Sequence, residues 1–349
     1  MGWLGLRRPW LCWLPLAVVS AEPVAGPLAE NEWSTNELSD VLGQNVSHAS
    51  LCRKGKCWPA TWILGGQKCG STSVWMWLTR KYTYKLCNAV VPPKKPAYYA
   101  KETHFWVGEA SHLAPADAAR QFTALYPASK LKECPNGFDE ATPANIRSAE
   151  APRLLRAALP EPFRSKLRFI AVLREPIARD LSAYNHKTRT GSWCSACRPG
   201  GNATYETYAR CRLTTNTTKT CGQEVGFYEA QLRRWATAFS RRQILVLEFG
   251  WLIANEADAG RRIGAFLRFP ALRAAATFPH SNAAVAKSNP SPQTTIRCHI
   301  RDRLEAVYEP ENEKLYAYLA ATRGPAEEPP FPRFKRMPCV GESRTNTHE

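Results

Sequence analysis

The chain has 349 residues, 44% of them hydrophobic, enough to bury a full core as one large domain. Its 47 Lys and Arg against 30 Asp and Glu leave a formal charge of +17, which implies acidic ligands or a polyanionic partner. Signs of a lumenal location, taken next, argue against nucleic acid as that partner.

Arg7 and Arg8, an apolar stretch from Trp10 to Val19 and the small-residue site Val19-Ser20-Ala21 read as a secretory signal over residues 1–21. The stretch contains Pro15 and falls short of the roughly 20 residues a spanning helix needs; a short uncleaved segment would still serve as a membrane anchor. Asn45-Val-Ser47, Asn202-Ala-Thr204 and Asn216-Thr-Thr218 are glycosylation acceptors. With Cys12 in the signal set aside, an odd number of the 12 cysteines remains. In an oxidising compartment most of these pair and at least one thiol stays free, Cys69 being the candidate. Residues 22–58 mix Pro, Gly, Asn, Ser and charge without a period and read as a stem, with Cys52 and Cys57 available to tie it down.

The globular part begins with a buried strand over residues 60–65 and continues, through Gly65-Gly-Gln-Lys68-Cys69-Gly70-Ser71-Thr72-Ser73, into a helix from Ser71 to Tyr82 with Trp75 and Leu78 on one side. A strand turning through glycines into a Ser/Thr-rich helix start is the layout of a phosphate-wrapping loop. A nucleoside-triphosphatase loop carries its lysine after the last glycine. Here Lys68 precedes Gly70, so it sits where it can reach an oxygen bridging a phosphate to a group being transferred. No metal ligand is needed. Further on, Glu102 and His104 lie two apart and in extended chain share a face, which suits a carboxylate base with an assisting imidazole.

Residues 167–173 form a second buried strand, and Pro176 opens a helix running to about Lys187. This unit places the Arg174 guanidinium at the strand end and the Ser182 hydroxyl two turns into the helix, a candidate second phosphate site. Between Lys187 and Phe227 lies a long loop holding Cys194, Cys197, Cys211 and Cys221, whose spacing lacks the second close pair of a zinc ribbon. The cysteines clamp it, and its basic residues, Arg210 and Arg212 among them, are candidates to hold an anionic acceptor; a decorated surface loop is the alternative. An amphipathic helix over residues 227–239 and a strand over 243–248 follow, and the chain beyond Pro325 reads as loop. Strands alternating with helices predict an α/β fold with a parallel sheet flanked by helices, and a ligand crevice beyond the carboxyl ends of the strands.

These pieces occur together in one family. The chain resembles the Golgi carbohydrate sulfotransferases of the heparan and chondroitin type, which use 3′-phosphoadenosine 5′-phosphosulfate (PAPS). Gln67-Lys68-Cys-Gly-Ser-Thr72 is similar to their 5′-phosphosulfate loop, and Arg174-Glu-Pro-x-x-Arg179-x-x-Ser182-x-Tyr184 to their 3′-phosphate motif. Lys101-Glu102-Thr-His104-Phe-Trp resembles the segment supplying the base, and Glu140-Ala-Thr-Pro143 a short motif before the 3′-phosphate strand. The resemblance covers roughly residues 60–320, reaches Gly226–Leu247 and Val307–Tyr316, and looks nearest to the N-acetylgalactosamine 4-sulfate 6-O-sulfotransferase branch.

The resemblance implies a P-loop-like, nucleotide-binding sulfotransferase fold over residues 59–325, followed by a tail over 326–349. It implies Lys68, Glu102 and His104 as catalytic residues. PAPS would be held by Lys68, Cys69, Gly70, Ser71, Thr72, Arg174, Ser182 and Lys287, without metal. Glu248-Phe-Gly-Trp251 departs from the family's acidic pair, and Lys287-Ser-Asn-Pro290 matches its basic loop only in part. Two alternatives share these residues: a protein-tyrosine sulfotransferase, and a secreted glycosaminoglycan-binding protein without turnover.

Overall fold

The computed structural model describes residues 50–80, 84–134, 136–161, 163–191, 197, 204–214, 223–268, 278–279, 294–324 and 329–341. The signal, the three glycosylation asparagines, Cys194, Cys221 and Lys287 lie outside the described residues.

Two short antiparallel strands, β1 (Ser50–Arg53) and β2 (Lys56–Pro59), make a hairpin closed by the Cys52–Cys57 disulfide. Trp58 of this hairpin is fully buried and stacks on Trp106, so residues 50–58 of the segment read as stem belong to the folded body. The central strands are β3 (Thr61–Gly65), β4 (Asp139–Glu140), β5 (Arg168–Leu173) and β6 (Ile244–Glu248). They form one parallel sheet in the order β4-β3-β5-β6.

Apolar residues run almost without interruption through β3, β5 and β6 because both sheet faces are covered. On one face Trp62, Phe169, Ala171 and Val246 pack under Leu232 and Trp235 of a helix spanning Tyr228–Ala238. On the other, Ile63, Ile170, Val172 and Leu245 meet helix α1 (Ser71–Thr79) and Ile263 from a helix spanning Glu256–Leu267. The buried side of α1 is Ser71, Val74, Trp77 and Leu78. Trp75, expected beside Leu78, is only half-buried and donates its Nε1–H to Asn88 Oδ1 at 2.8 Å.

Chain order decides where a ligand can sit. From β3 the chain first adds β4 on one side, then crosses back to add β5 on the other, so connections leave β3 and β5 in opposite directions. The crevice beyond their carboxyl ends is the topological switch point. Lys68 follows β3 and Arg174 follows β5, one on each side of it.

The long loop expected after Lys187 contains a helix. The helix spanning Pro176–Thr190 (α2) outlasts its expected end by three residues, and a further helix, α3 (Tyr205–Thr214), docks on it through Tyr184, Tyr205 and Tyr208. The Cys197–Cys211 disulfide ties α3 down. Low amphipathic contrast hid this helix, since its buried side is Tyr205, Tyr208, Ala209 and Arg212 rather than an aliphatic stripe.

Its two arginines have opposite fates. Arg210 is exposed, pairing with Glu206 at 2.7 Å beside His299. Arg212 is 2% exposed and bonds Asp180, itself fully buried on α2, so it is no acceptor contact. Arg212→Ala leaves the Asp180 carboxylate buried with only Tyr205 at 3.2 Å and Arg179 at 3.8 Å, at a cost of about 3 kcal/mol in urea unfolding. Arg210→Ala is expected to change stability by less than about 0.5 kcal/mol, the usual worth of an exposed helix pair.

Further pairs, Cys87–Cys134 and Cys298–Cys339, fit an oxidising compartment. Cys298–Cys339 and the Val340 bridge to Arg297 fasten part of the segment read as loose tail. Among the described residues the free cysteine is Cys69, as expected. No helix among the described residues is long and apolar enough to cross a membrane, and none of their His, Cys, Asp and Glu side chains form a metal-binding group of three.

Candidate active site

The loop after β3 is built for close approach. At Gly65, φ is +109° and an added Cβ would lie 2.4 Å from the Pro143 carbonyl oxygen, so only glycine lets the Glu140–Pro143 segment pass against the loop. Gly70 has φ +88° and caps α1 with no side-chain hydrogen bond; a Cβ there would strike Phe249 at 2.7 Å. The helix N-terminus, with the backbone N–H groups of Ser71 and Thr72 at its head, is therefore left for an anion. Cys69 adds no donor to that nest. Its N–H is spent on the Gly66 carbonyl at 3.2 Å, and its buried Sγ faces Tyr228 OH at 3.9 Å. Burial pushes the thiol pKa up despite the nearby arginines, which keeps it protonated and inert.

Two arginines grip the loop from the next strand unit. Arg174 Nη1 donates to the Lys68 carbonyl at 3.4 Å, and Arg179 Nε donates to the Gln67 carbonyl at 3.2 Å. Arg174 also lies over the Phe249 ring, 5.0 Å from its centroid, and its carbonyl accepts from Tyr228 OH. Ser182 follows two turns into α2, partly exposed; no described contact joins it directly to Arg174. Its helix face continues one turn on to His186 and then to Arg189, which donates to His186 Nδ1 at 3.3 Å.

Lys68, half-buried with φ +67°, sits among these cations. Burial lowers its pKa first, and Arg189, Arg174, Arg179 and Lys101 lower it further. Such crowding of like charge on one loop suits a multiply charged anion.

The carboxylate side of the site comes from residues 101–104. Glu102 Oε1 accepts from Lys101 Nζ at 2.5 Å, while Oε2 lies 3.4 Å from His104 Nε2. The expected Glu/His pairing is present, but the chain is not extended there: His104 has φ +53° and turns into a 3₁₀ segment. Burial raises the Glu102 pKa, and the His104 hydrogen bond with the charge and hydrogen bond of Lys101 outweighs it, leaving the carboxyl below its ordinary value. Burial lowers the His186 pKa, the charges of Lys68 and Arg189 lower it further, and Glu102 opposes them. Lys101 Nζ, which donates both to Glu102 Oε1 and to Thr72 Oγ1 at 2.8 Å, joins the base to the head of the loop helix.

Beneath them Glu140 is a buried clamp. It accepts from Thr142 Oγ1 at 2.5 Å, from Thr103 Oγ1 at 3.1 Å and from Asn145 Nδ2 at 2.8 Å, and Thr142 Oγ1 in turn accepts from the His104 N–H. Lys101, Arg179 and His186 had no assigned role in the sequence, and Arg189 was a candidate only for holding the acceptor. Lys101 and Arg179 stood inside the quoted motifs, and Arg189 lies seven residues past Ser182, the spacing of one helix face.

No protein-family model matches the chain, and no curated protein sequence does. A solved structure described as a sulfotransferase from Alicyclobacillus acidocaldarius superposes on it with a TM-score of 0.50 at 19% identity, covering 76% of this chain and 99% of that one. The fold is that of the sulfotransferases. The sulfotransferase domain of the Synechococcus PCC 7002 olefin synthase reaches only a TM-score of 0.36 at 13% identity, over 61% of this chain and 74% of that chain, and carries no weight. In the sulfotransferase fold the α/β expectation holds: parallel sheet, helices on both faces and a phosphate-type loop at the switch point.

Proposed function

We propose that the chain transfers a sulfuryl group from PAPS to a hydroxyl of an anionic glycan in the Golgi lumen. The observation that supports it most is the Arg174 guanidinium at the Lys68 carbonyl across the β3/β5 crevice of a sulfotransferase fold, with Glu102 joined to the same loop helix through Lys101 and Thr72. The loop and the N-terminus of α1 would hold the 5′-phosphosulfate, and Arg174 with Ser182 the 3′-phosphate. Glu102 takes the proton of the acceptor hydroxyl as its oxygen bonds to sulfur. The bond from sulfur to the bridging oxygen breaks, and Lys68 meets the charge left on the bisphosphonucleotide. Because that leaving group is stable, positioning and electrostatics supply most of the acceleration. His104, 3.4 Å from Glu102, orients the carboxylate. The net charge of +17 and the lumenal features of the sequence favour an anionic glycan.

The test is label transfer from [³⁵S]PAPS to desulfated and sulfated glycosaminoglycans and to a tyrosine peptide, with disaccharide analysis of products. Label in the peptide alone would make the protein a protein-tyrosine sulfotransferase; glycan binding with no transfer would make it a non-catalytic glycosaminoglycan-binding protein. In the same preparation Arg174→Ala and Ser182→Ala are expected to weaken 3′,5′-bisphosphoadenosine by roughly tenfold or more each, as loss of a charge-assisted contact does. Adenosine 5′-phosphate should weaken by less than about twofold, since it lacks the group they hold. Calorimetry showing equal losses for both nucleotides removes the 3′-phosphate assignment.

A further inference from the structure

We propose that Lys101 is a positioning residue of the transfer site, whose ammonium ties the Glu102 carboxylate to the donor-loop helix at Thr72. The inference rests on the sulfotransferase reading above and adds a residue to it. Lys101 is 9% exposed, and a lysine so enclosed must be compensated by hydrogen bonds and charge. Its Nζ donates to Thr72 Oγ1 at 2.8 Å and to Glu102 Oε1 at 2.5 Å, and it lies 5.8 Å from the centre of the Trp75 ring. Thr72 and Trp75 are three apart on α1 and so share a face. The Trp75 ring is itself fixed through Asn88. The main chain is held as firmly: the Lys101 N–H donates to the Tyr98 carbonyl, and its own carbonyl accepts from the Ala141 N–H at 3.1 Å.

Two consequences follow from the chemistry of an ammonium, which donates and never accepts. Thr72 Oγ1 must act as acceptor towards Lys101, so the Thr72 hydroxyl hydrogen is left for an anion at the head of α1. Glu102 is held at one oxygen by Lys101 and approached at the other by His104, so its plane is set from both ends. The charge of Lys101 is also among the causes that keep Glu102 ionised. Lys101 touches Glu102 and Thr72 rather than the reacting atoms, and therefore acts through them.

The experiment compares wild type, Lys101→Met, Lys101→Arg, Glu102→Gln and the double variant Lys101→Met/Glu102→Gln. Transfer rates from PAPS are measured from about pH 3 to 8, so that the wild-type acid limb below the ordinary carboxylate range is covered, and affinity for 3′,5′-bisphosphoadenosine by calorimetry. Removing the cation raises the Glu102 pKa, and a base must be ionised to work, so the acid limb for Lys101→Met is expected to move to higher pH by about one unit or more. Lys101→Arg, which keeps the charge, should return the limb towards wild type. Lys101→Met should cost roughly tenfold or more in kcat in the wild-type background and less than about threefold in the Glu102→Gln background, because residues that act as a unit are not additive. Nucleotide affinity should stay within about threefold. An unmoved acid limb, or losses that multiply in the double variant, would overturn the positioning role while leaving the reaction standing. If Lys101→Met does not fold, Lys101→Gln, which also removes the charge but keeps a polar end, takes its place alone and with Glu102→Gln, and the same two criteria decide. No transfer by wild type to any acceptor would remove the reaction, and this role with it.

Discussion

Glu102→Gln is expected to lower turnover by roughly 10²–10⁴-fold while leaving affinity for 3′,5′-bisphosphoadenosine within about threefold. The substitution keeps shape and both oxygen-side contacts in part, but an amide cannot take the acceptor proton. Its electrostatic side effect is small in the ground state, because the Lys101 ammonium stays bonded to Thr72 Oγ1 at 2.8 Å and keeps one partner. The pH dependence has a definite sign. Burial raises the Glu102 pKa but His104 and Lys101 bring it below the ordinary carboxylate value, so the wild-type acid limb lies below that of an unpaired carboxylate, and the rate falls as pH drops through it. Glu102→Gln should abolish that limb as well as the rate. If nucleotide binding and turnover fall together by the same factor, Glu102 is a structural residue, and the base must be sought elsewhere on the face that carries His186.

The frame of this site was legible because its parts are local in sequence. A fully buried parallel strand announces itself as a continuous apolar run, and Thr61–Gly65, Arg168–Leu173 and Ile244–Glu248 all lie within a residue or so of the expected bounds. Glycine placement marked the loop, since Gly65 and Gly70 occupy positions where a Cβ would collide. What could not be read was long-range pairing. Arg212 looked like a surface cation because nothing near it in sequence hints at Asp180, thirty-two residues earlier. Lys101 stood in the base-supplying motif without a role of its own until α1, twenty-nine residues away, supplied Thr72. The same holds for Trp58, whose burial depends on Trp106 and Phe122 arriving from another segment and so escaped a reading that took the hairpin for stem.

Lys68→Ala is expected to cost roughly 10²–10³-fold in turnover, the usual price of removing one donor to a developing anion. Stability should not fall with it. Burial and then the charges of Arg189, Arg174, Arg179 and Lys101 depress the Lys68 pKa, so the folded protein holds this ammonium against repulsion. For a lysine whose folded pKa is depressed, the penalty is present below that pKa, where the side chain is charged, and disappears above the unfolded value. Deleting the side chain therefore removes a destabilising charge near neutral pH, and the melting temperature of the ligand-free protein is expected to stay level or rise. Bound donor reverses the balance, because its negative charges turn the same crowding into attraction, so the bisphosphonucleotide should raise the melting temperature of wild type more than that of the variant. Activity and ligand-free stability thus move apart, which a merely structural lysine would not produce. Turnover within threefold of wild type would remove Lys68 from the chemistry, and a large drop in melting temperature without ligand would show that the loop needs the side chain to fold.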